Sequence, residues 1–129
     1  MNGNAATRIL LAEDDEAMRT YLVRALDKAG YSVVAVDRGT AALPHLEHDH
    51  FDLLLSDIVM PEMDGIELAQ RCNEVSPATK VMFITGFAGV TLKASREQPH
   101  AKVLSKPFHL RDLVIEVERV LGDRVQASL

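Results

Sequence analysis

Residues 51–75, FDLLLSDIVMPEMDGIELAQRCNEV, carry the pattern on which the fold assignment depends. Residues 51–56 form a short apolar run, typical of a strand buried on both faces, and Asp57 follows it directly. A turn-rich loop then leads into a predicted helix over 66–75, with Asp64 as its N-cap. A buried strand, an acid at its end and a helix after a turn make one βα unit of a parallel sheet.

The same arrangement recurs along the rest of the chain. Short apolar runs predict further strands, and segments with apolar residues at helical spacing follow them. The predicted strands cover residues 9–12, 32–36, 80–84 and 101–104, and the predicted helices cover about 18–29, 40–48, 86–100 and 110–121. Near-continuous apolar strands need cover on both faces, so the pattern predicts an α/β fold with helices on both sides of a parallel sheet.

Three segments carry more specific expectations. Residues 32–36 are interpreted as a buried strand, Gly30 as the left-handed residue that ends the first helix, and Gly122 as the end of the last. The segment 86–100 contains two glycines, one proline and Thr91, all of which weaken a helix. A short or mobile helix is expected there.

Length and composition restrict the possible functions. A chain of 129 residues suits one domain, expected over residues 7–122 between flexible tails at 1–6 and 123–129. The net charge of -5 and the lack of a Lys- or Arg-rich run argue against nucleic-acid binding. No apolar stretch reaches the ~18 residues of a membrane span. With no signal-peptide pattern and a single cysteine, Cys72, we expect a cytoplasmic protein.

Polar side chains follow four of the predicted strands. In open α/β sheets, ligands bind beyond the carboxyl ends of the strands, so residues at these positions form the candidate site. They are Glu13, Asp14 and Asp15 after the first strand, Asp57 after the third, Thr85 after the fourth and Lys106 after the fifth. Each has an ordinary alternative, such as helix capping by Asp15, but their occurrence together indicates a functional site.

These residue types suit phosphoryl transfer. Several carboxylates at one edge repel one another, and Mg²⁺, which prefers oxygen ligands, relieves that repulsion. An oxygen of Asp57 can then attack an electrophilic phosphorus, while the Lys106 ammonium and the Thr85 hydroxyl neutralise the transferred oxygens. The sequence therefore predicts a phosphate-accepting carboxylate at Asp57.

At these positions the sequence resembles the response regulator receiver domain of two-component signalling. The matching stretches are ILLAEDD at 9–15, DIVMPEMDG at 57–65, FITG at 83–86 and LSKPF at 104–108. Because no output domain is expected, the chain resembles the stand-alone receivers, and it is most similar to the CpdR type. The resemblance implies a flavodoxin-like (βα)5 fold, a doubly wound parallel sheet with strand order 2-1-3-4-5.

The resemblance also implies roles for individual residues. Asp57 would be the phosphoacceptor, and Thr85 and Lys106 would contact the acyl phosphate. The peptide bond before Pro107 would be cis, a form that costs little before proline.

Mg²⁺ is the implied cofactor, and its ligands depend on which neighbouring acids are used. The resemblance places it on Asp14, Asp57 and the backbone carbonyl of Val59, with Glu13 acting mostly through water. Glu13 and Asp14 directly follow the first strand, and we choose this pair for the metal site. Asp15 remains the alternative to Glu13.

Two departures from the family pattern affect the expected switch. Many receivers carry Tyr or Phe three residues before the lysine, and Val103 occupies that position here. The usual coupling between Thr85 and the output surface is therefore in question, with Phe87 or Phe108 as the candidate replacement. Val59 and Phe87 are apolar where they flank the expected phosphoryl group, so we hypothesise slow self-dephosphorylation.

The favoured function is a single-domain response regulator that switches a protein-binding surface around the fourth helix, the fifth strand and the fifth helix. Its phosphodonor would be a histidine kinase or a histidine phosphotransfer protein. The CpdR resemblance implies the ClpX unfoldase of ClpXP as a partner, with control of regulated proteolysis or the cell cycle. We expect no enzymatic activity beyond promotion of its own phosphorylation and dephosphorylation.

Three alternatives belong to different functional classes. A phosphorelay intermediate or phosphate sink would use the same site without an effector. A carboxylate-using phosphatase would need a second acid two residues beyond Asp57, where Val59 stands. A flavodoxin-like cofactor site would need a phosphate-cradling loop after the first strand, but the acids there would repel an anionic cofactor.

Overall fold

The computed structural model describes residues 6–127 and contains five strands that alternate with five α-helices. The strands are β1 (Arg8–Ala12), β2 (Ser32–Val36), β3 (Leu53–Asp57), β4 (Lys80–Thr85) and β5 (Lys102–Ser105). The helices are α1 (Glu16–Lys28), α2 (Gly39–His48), α3 (Gly65–Val75), α4 (Thr91–Glu97) and α5 (Leu110–Ala127), with a 3₁₀ turn (Ala88–Val90) before α4. All strand pairings are parallel, in the order β2-β1-β3-β4-β5. The flavodoxin-like fold implied by the resemblance is confirmed.

The sheet is covered on both faces, as its continuous apolar strands require. Alternate residues of a strand point to opposite faces, so Ile9 and Leu11 join the cluster under α1 and α5. Leu10 joins the other cluster, under α2, α3 and α4, together with Leu54 and Phe83. All five side chains are fully buried, and each stabilises the fold by about 1.5–3 kcal/mol. These two clusters hold the strand ends, and hence the site, in a fixed arrangement.

Helix termini follow the chemistry predicted from the sequence. The Asp64 carboxylate accepts a hydrogen bond from the backbone N–H of Glu67 at 2.8 Å and caps α3. Gly30 follows α1 with a φ of 100°, the left-handed conformation that only glycine adopts readily. The segment before β5 forms only the 3₁₀ turn and the seven-residue α4, which confirms that this helix is short.

Two expectations about individual elements were wrong. β2 lies at the edge of the sheet and its side chains are half-buried or exposed, because a helix-covered strand needs neighbours on both sides to be fully enclosed. α5 continues past Gly122 to Ala127, since a single glycine within a helix costs only about 1 kcal/mol relative to alanine. Of the flexible tails expected at 1–6 and 123–129, residues 1–5 and 128–129 lie outside the described residues.

Within residues 6–127, none of the helices combines the length and apolar character that crossing a membrane would require.

Gly65, the first residue of α3, connects the fold to the end of β3. Its backbone N–H donates a hydrogen bond to the carbonyl oxygen of Ile58 at 2.7 Å. A Cβ atom at this position would overlap the carbonyl oxygen of Asp57 and would lie 3.0 Å from the Cα of Ile58. Glycine is therefore required by the close approach of two backbone segments, one of which carries Asp57.

We predict that Gly65→Ala lowers the free energy of unfolding by about 1–3 kcal/mol, because the added methyl group forces β3 and the start of α3 apart. Gly122→Ala is the matched control. Among the described residues, no atom apart from those of its chain neighbours and its own helix backbone lies within 4 Å of an added Cβ, so this substitution should stabilise α5 by about 0.5–1 kcal/mol. Urea unfolding followed by circular dichroism measures both. A Gly65→Ala protein as stable as the wild type would contradict the close-approach argument.

Candidate functional site

Three carboxylates meet at the carboxyl edge of the sheet. Glu13 follows β1 and Asp57 ends β3, and these two strands are adjacent. Carboxylate oxygens of Glu13, Asp14 and Asp57 all lie within 4.8 Å of one another. Glu13 is fully buried, Asp57 is 6% exposed, and Asp14 is exposed at the mouth. The structure thus brings together the three acids that the sequence analysis selected for the metal site.

Lys106 supplies the positive charge of this cluster. Its Nζ lies 3.2 Å from Oε1 of Glu13 and 3.3 Å from Oδ2 of Asp57. Its backbone N–H donates to the carbonyl oxygen of Thr85, which ties the end of β5 to the end of β4. The Lys106–Pro107 peptide bond is cis, as the resemblance implied.

The pKa values in this cluster reflect burial and crowding of charge. Burial raises the pKa of Glu13 to about 7, and the nearby Asp57 adds to the rise, while the Asp15 N–H and the Lys106 ammonium oppose it. Burial alone would lower the pKa of Lys106, but attraction to Asp57 and Glu13 outweighs it and raises that pKa. Lys106 is therefore charged at neutral pH, whereas Glu13 binds a proton more readily than a free carboxylate does.

One oxygen of the cluster lacks a partner. Oδ2 of Asp57 faces Lys106, but the buried Oδ1 has no hydrogen-bond partner within the described part of the chain. Leaving a buried acceptor unpaired costs about 1–3 kcal/mol. A buried oxygen without a hydrogen bond indicates that the atom has a function. A carboxylate oxygen beside two further carboxylates suits a hard divalent cation such as Mg²⁺. The donor set therefore fits the implied metal.

Asp15 has a different position from its two neighbours. Its Oδ1 accepts a hydrogen bond from the backbone N–H of Met18 at 2.9 Å and caps α1. Its own N–H donates to Oε2 of Glu13 at 3.1 Å. The capping role that the sequence analysis kept as the ordinary alternative is confirmed, and the structure groups Glu13 rather than Asp15 with Asp14 and Asp57.

Thr85 lies at the end of β4, but its hydroxyl does not reach the acids. Oγ1 accepts a hydrogen bond from the backbone N–H of Phe87 at 3.0 Å and lies 3.5 Å from the carbonyl oxygen of the same residue. Among the described residues it makes no hydrogen bond to Asp57 or to the Lys106 ammonium. The threonine hydroxyl is thus held by the loop that follows its own strand.

The apolar residues around the site differ in exposure. Val59, two residues beyond Asp57, is 42% exposed, and Phe87 is 59% exposed. Val103 is half-buried against the cluster under α2, α3 and α4, and Phe108 packs against the opposite cluster. Of the two aromatic residues that could replace a ring at position 103, only Phe87 is hydrogen-bonded to Thr85.

One residue that contacts this site was not expected from the sequence. Arg19, on α1, donates a hydrogen bond from Nη1 to the backbone carbonyl oxygen of Glu13 at 3.0 Å. Arg19 lies outside the buried face of α1, which contains Leu22 and Leu26, and such a position is typical of a surface arginine. The available signal was its place in the first turn of the helix, from which a long side chain can reach back over the preceding loop.

Comparison with known proteins agrees with this geometry. The family model described as the response regulator receiver domain matches residues 9–118. The response regulator receiver protein CpdR of Brucella abortus (strain 2308) is 62% identical over 115 residues, which cover 88% of this chain and 96% of that protein. The sensor kinase CckA of the same organism is 37% identical over 94% of this chain, which corresponds to 13% of the kinase.

Solved structures share the fold. The crystal structure of a CheY-like response regulator receiver domain protein from Methanospirillum hungatei JF-1 superimposes with a TM-score of 0.89 at 28% identity, over 95% of this chain and 99% of that chain. The family match, the 62% identity to a receiver protein and the shared fold lead to one conclusion. The chain belongs to the response regulator receiver domain family of two-component signalling.

Proposed function

We propose that Asp57 accepts a phosphoryl group from a histidine kinase or a histidine phosphotransfer protein, and that the resulting aspartyl phosphate switches a protein-binding surface. The observation that carries this proposal is the state of the Asp57 carboxylate. One oxygen faces the Lys106 ammonium, while the other is buried, unpaired among the described residues and adjacent to Glu13 and Asp14. Receiver-family membership supports the choice of donor class.

The transfer requires little chemistry from the protein beyond position and charge. An oxygen of Asp57 attacks the phosphorus of a phosphohistidine, the P–N bond breaks, and the donor imidazole leaves with a proton taken up from solvent. Asp14, Asp57 and the backbone carbonyl of Val59 would hold Mg²⁺, with Glu13 nearby, and the bound ion would supply positive charge to the transferred oxygens. The Lys106 ammonium stays within reach of those oxygens, because it already lies 3.3 Å from Asp57. The chain needs no further catalytic activity for this role.

Thr85 and Phe87 are the proposed route from the phosphoryl group to the surface. A hydroxyl has one proton to donate, and the Thr85 hydroxyl lies 3.5 Å from the carbonyl of Phe87. Once a phosphoryl group stands on Asp57, its oxygens offer a stronger, charged acceptor for that proton. Rotation of Thr85 toward it would weaken the contacts with Phe87 and release this exposed ring. Phe87 would thereby substitute for the aromatic residue that Val103 replaces.

The proposed effector is the ClpX unfoldase of the ClpXP protease, in regulated proteolysis or cell-cycle control in the cytoplasm. The resemblance to the CpdR type and the 62% identity to a CpdR protein support this choice. A phosphorelay intermediate or phosphate sink is the second candidate, favoured by the absence of an aromatic side chain at Val103. Retention of ClpX by only one phospho-state in a pull-down supports the first candidate. Retention of ClpX by neither phospho-state supports the second.

The phosphoacceptor is tested by treating the protein with acetyl phosphate and Mg²⁺ and measuring its intact mass. We expect the wild type to gain one phosphoryl group and Asp57→Asn to gain none, because the amide is a poor nucleophile. Asp14→Asn should be phosphorylated only at much higher Mg²⁺, since it loses a ligand. Asp15→Asn is the matched control and should behave like the wild type, because an asparagine can still cap α1. Equal phosphorylation of wild type and Asp57→Asn would refute the assignment.

The buried Glu13 predicts a pH dependence of stability in metal-free protein. Its pKa is about 7 in the folded state against 4.5 for the free side chain, so folding favours the protonated form. The stability associated with that proton is present below pH 4.5 and is lost as the pH rises to about 7. In EDTA, the free energy of unfolding of the wild type should therefore fall between pH 5 and pH 8, by up to about 3 kcal/mol from this group.

Glu13→Gln should remove most of this decrease in the free energy of unfolding, because the glutamine side chain does not titrate. At pH 8, Mg²⁺ should restore stability in the wild type more than in the variant. Urea unfolding at the two pH values, with and without Mg²⁺, provides the measurement. An identical pH profile for the two proteins would show that Glu13 titrates normally.

The proposed route through Phe87 predicts a specific spectroscopic change. In protein labelled with fluorophenylalanine, the ¹⁹F resonance of Phe87, assigned with Phe87→Leu, should shift when beryllofluoride and Mg²⁺ are added. In Thr85→Val the shift should be largely lost, because valine is isosteric but cannot hydrogen-bond either partner. The buried Phe51 and Phe83 provide internal controls. An equal shift of the Phe87 resonance in both proteins would show that the ring does not respond through Thr85, which would contradict the proposed route.

A further inference from the structure

We propose that Arg19 is a positioning residue for the acid cluster, whose guanidinium holds the peptide group between Glu13 and Asp14 and so sets the affinity of this loop for a divalent cation. The inference rests on the proposed function, because it concerns the same cation site.

The contact involves the backbone of the loop that carries the acids. Arg19 is half-buried, and its Nη1 donates to the carbonyl oxygen of Glu13 at 3.0 Å. That oxygen belongs to the peptide unit that joins Glu13 to Asp14. A planar peptide unit turns as a whole, so a hydrogen bond to its oxygen restricts both the ψ angle of Glu13 and the φ angle of Asp14. The direction in which the exposed Asp14 side chain leaves the backbone is thereby restricted.

Among the described residues, the other contacts of this loop involve groups other than the carbonyl oxygen of Glu13. The N–H of Glu13 donates to the carbonyl oxygen of Val36 at 3.1 Å, which fixes the start of the loop against β2. The carboxylate of Glu13 is held by the Asp15 N–H and by Lys106. None of these bonds reaches the carbonyl oxygen of Glu13.

The charge of Arg19 also suits this role. The pKa of Asp37 is lowered mainly by the hydrogen bond from Arg38, and the charge of Arg19 lowers it further. The positive charge of Arg19 therefore acts on the acids at the mouth of the site. Asp14, Asp37 and Glu62 line one cavity there. Lys106 binds the carboxylate oxygens directly, whereas Arg19 binds a carbonyl. Arg19 therefore offsets negative charge without using an oxygen that a cation would need.

The chain offers a matched control on the same helix. Arg24 is exposed, and within residues 6–127 it makes no ion pair or side-chain hydrogen bond. Arg24→Ala removes the same charge and the same side chain from α1 without touching the loop. Arg19→Lys keeps the charge, and its ammonium can still donate one hydrogen bond to a carbonyl.

The experiment measures the Mg²⁺ dependence of phosphorylation by acetyl phosphate, and Mg²⁺ binding alone by calorimetry. Loss of a residue that orients metal ligands typically weakens metal binding 10–100-fold, so Arg19→Ala should need roughly tenfold more Mg²⁺ for half-maximal phosphorylation. Its rate at saturating Mg²⁺ should stay within about twofold of wild type, because the phosphoacceptor and Lys106 are intact. Arg19→Lys should recover part of the affinity, and Arg24→Ala should match the wild type.

A metal-free readout separates positioning from a general loss of stability. Amide hydrogen exchange of Asp15, whose N–H bonds to Glu13, should speed up in Arg19→Ala, while exchange in β4 should not change. Unchanged Mg²⁺ midpoints in Arg19→Ala, or an equal loss in Arg24→Ala, would overturn the inference. Failure of the wild type to be phosphorylated on Asp57 would instead overturn the proposed function, and the calorimetric Mg²⁺ affinities and exchange rates would still decide the role of Arg19.

Discussion

The structure depends on one unfavourable arrangement, in which two carboxylates are buried side by side at the carboxyl edge of a parallel sheet. Glu13 and Asp57 share the Lys106 ammonium, and the Glu13 pKa rises to about 7 because neither burial nor the neighbouring charge favours a second ionised acid. A buried charge is tolerated only where it is paired. The sheet order, which places β1 beside β3 and β5 next to β4, supplies that pairing.

The buried acids at this edge of the sheet destabilise the protein, and the rest of the fold offsets that loss of stability. Oδ1 of Asp57 is buried without a hydrogen bond among the described residues, and Gly65 must lie against the backbone of Asp57 to shape the loop beside it. Two apolar clusters, one on each face of the sheet, offset such local penalties and keep the strand ends rigid. Local strain or unpaired polar atoms are expected where a site is built for chemistry rather than for stability.

A change at the site can affect the surface only through groups that contact the site. The Thr85 hydroxyl and the backbone of Phe87 form one such connection, and the ring of Phe87 is exposed where Val103 has no ring to move. The guanidinium of Arg19 forms another, on the opposite side of the acids, through the carbonyl of Glu13. In the proposed mechanism, the first contact responds to phosphorylation of Asp57, and the second orients the acidic loop for cation binding.

The sequence by itself determined the strands, most helix bounds, the cap at Asp64 and the group of acids from which the site is built, because these depend on local periodicity and on hydrogen bonds to nearby backbone. It also indicated which strand ends carry chemistry. It left open whether Glu13 or Asp15 joins Asp14 and Asp57, and the tertiary structure decided for Glu13. Only the tertiary structure decided that β2 lies half-exposed at an edge, that α5 continues past Gly122, and where the Thr85 hydroxyl and Arg19 find partners. Lys106 reaches Glu13 across 93 residues of chain. Such contacts depend on the order of strands and on side-chain rotamers, which local sequence does not specify.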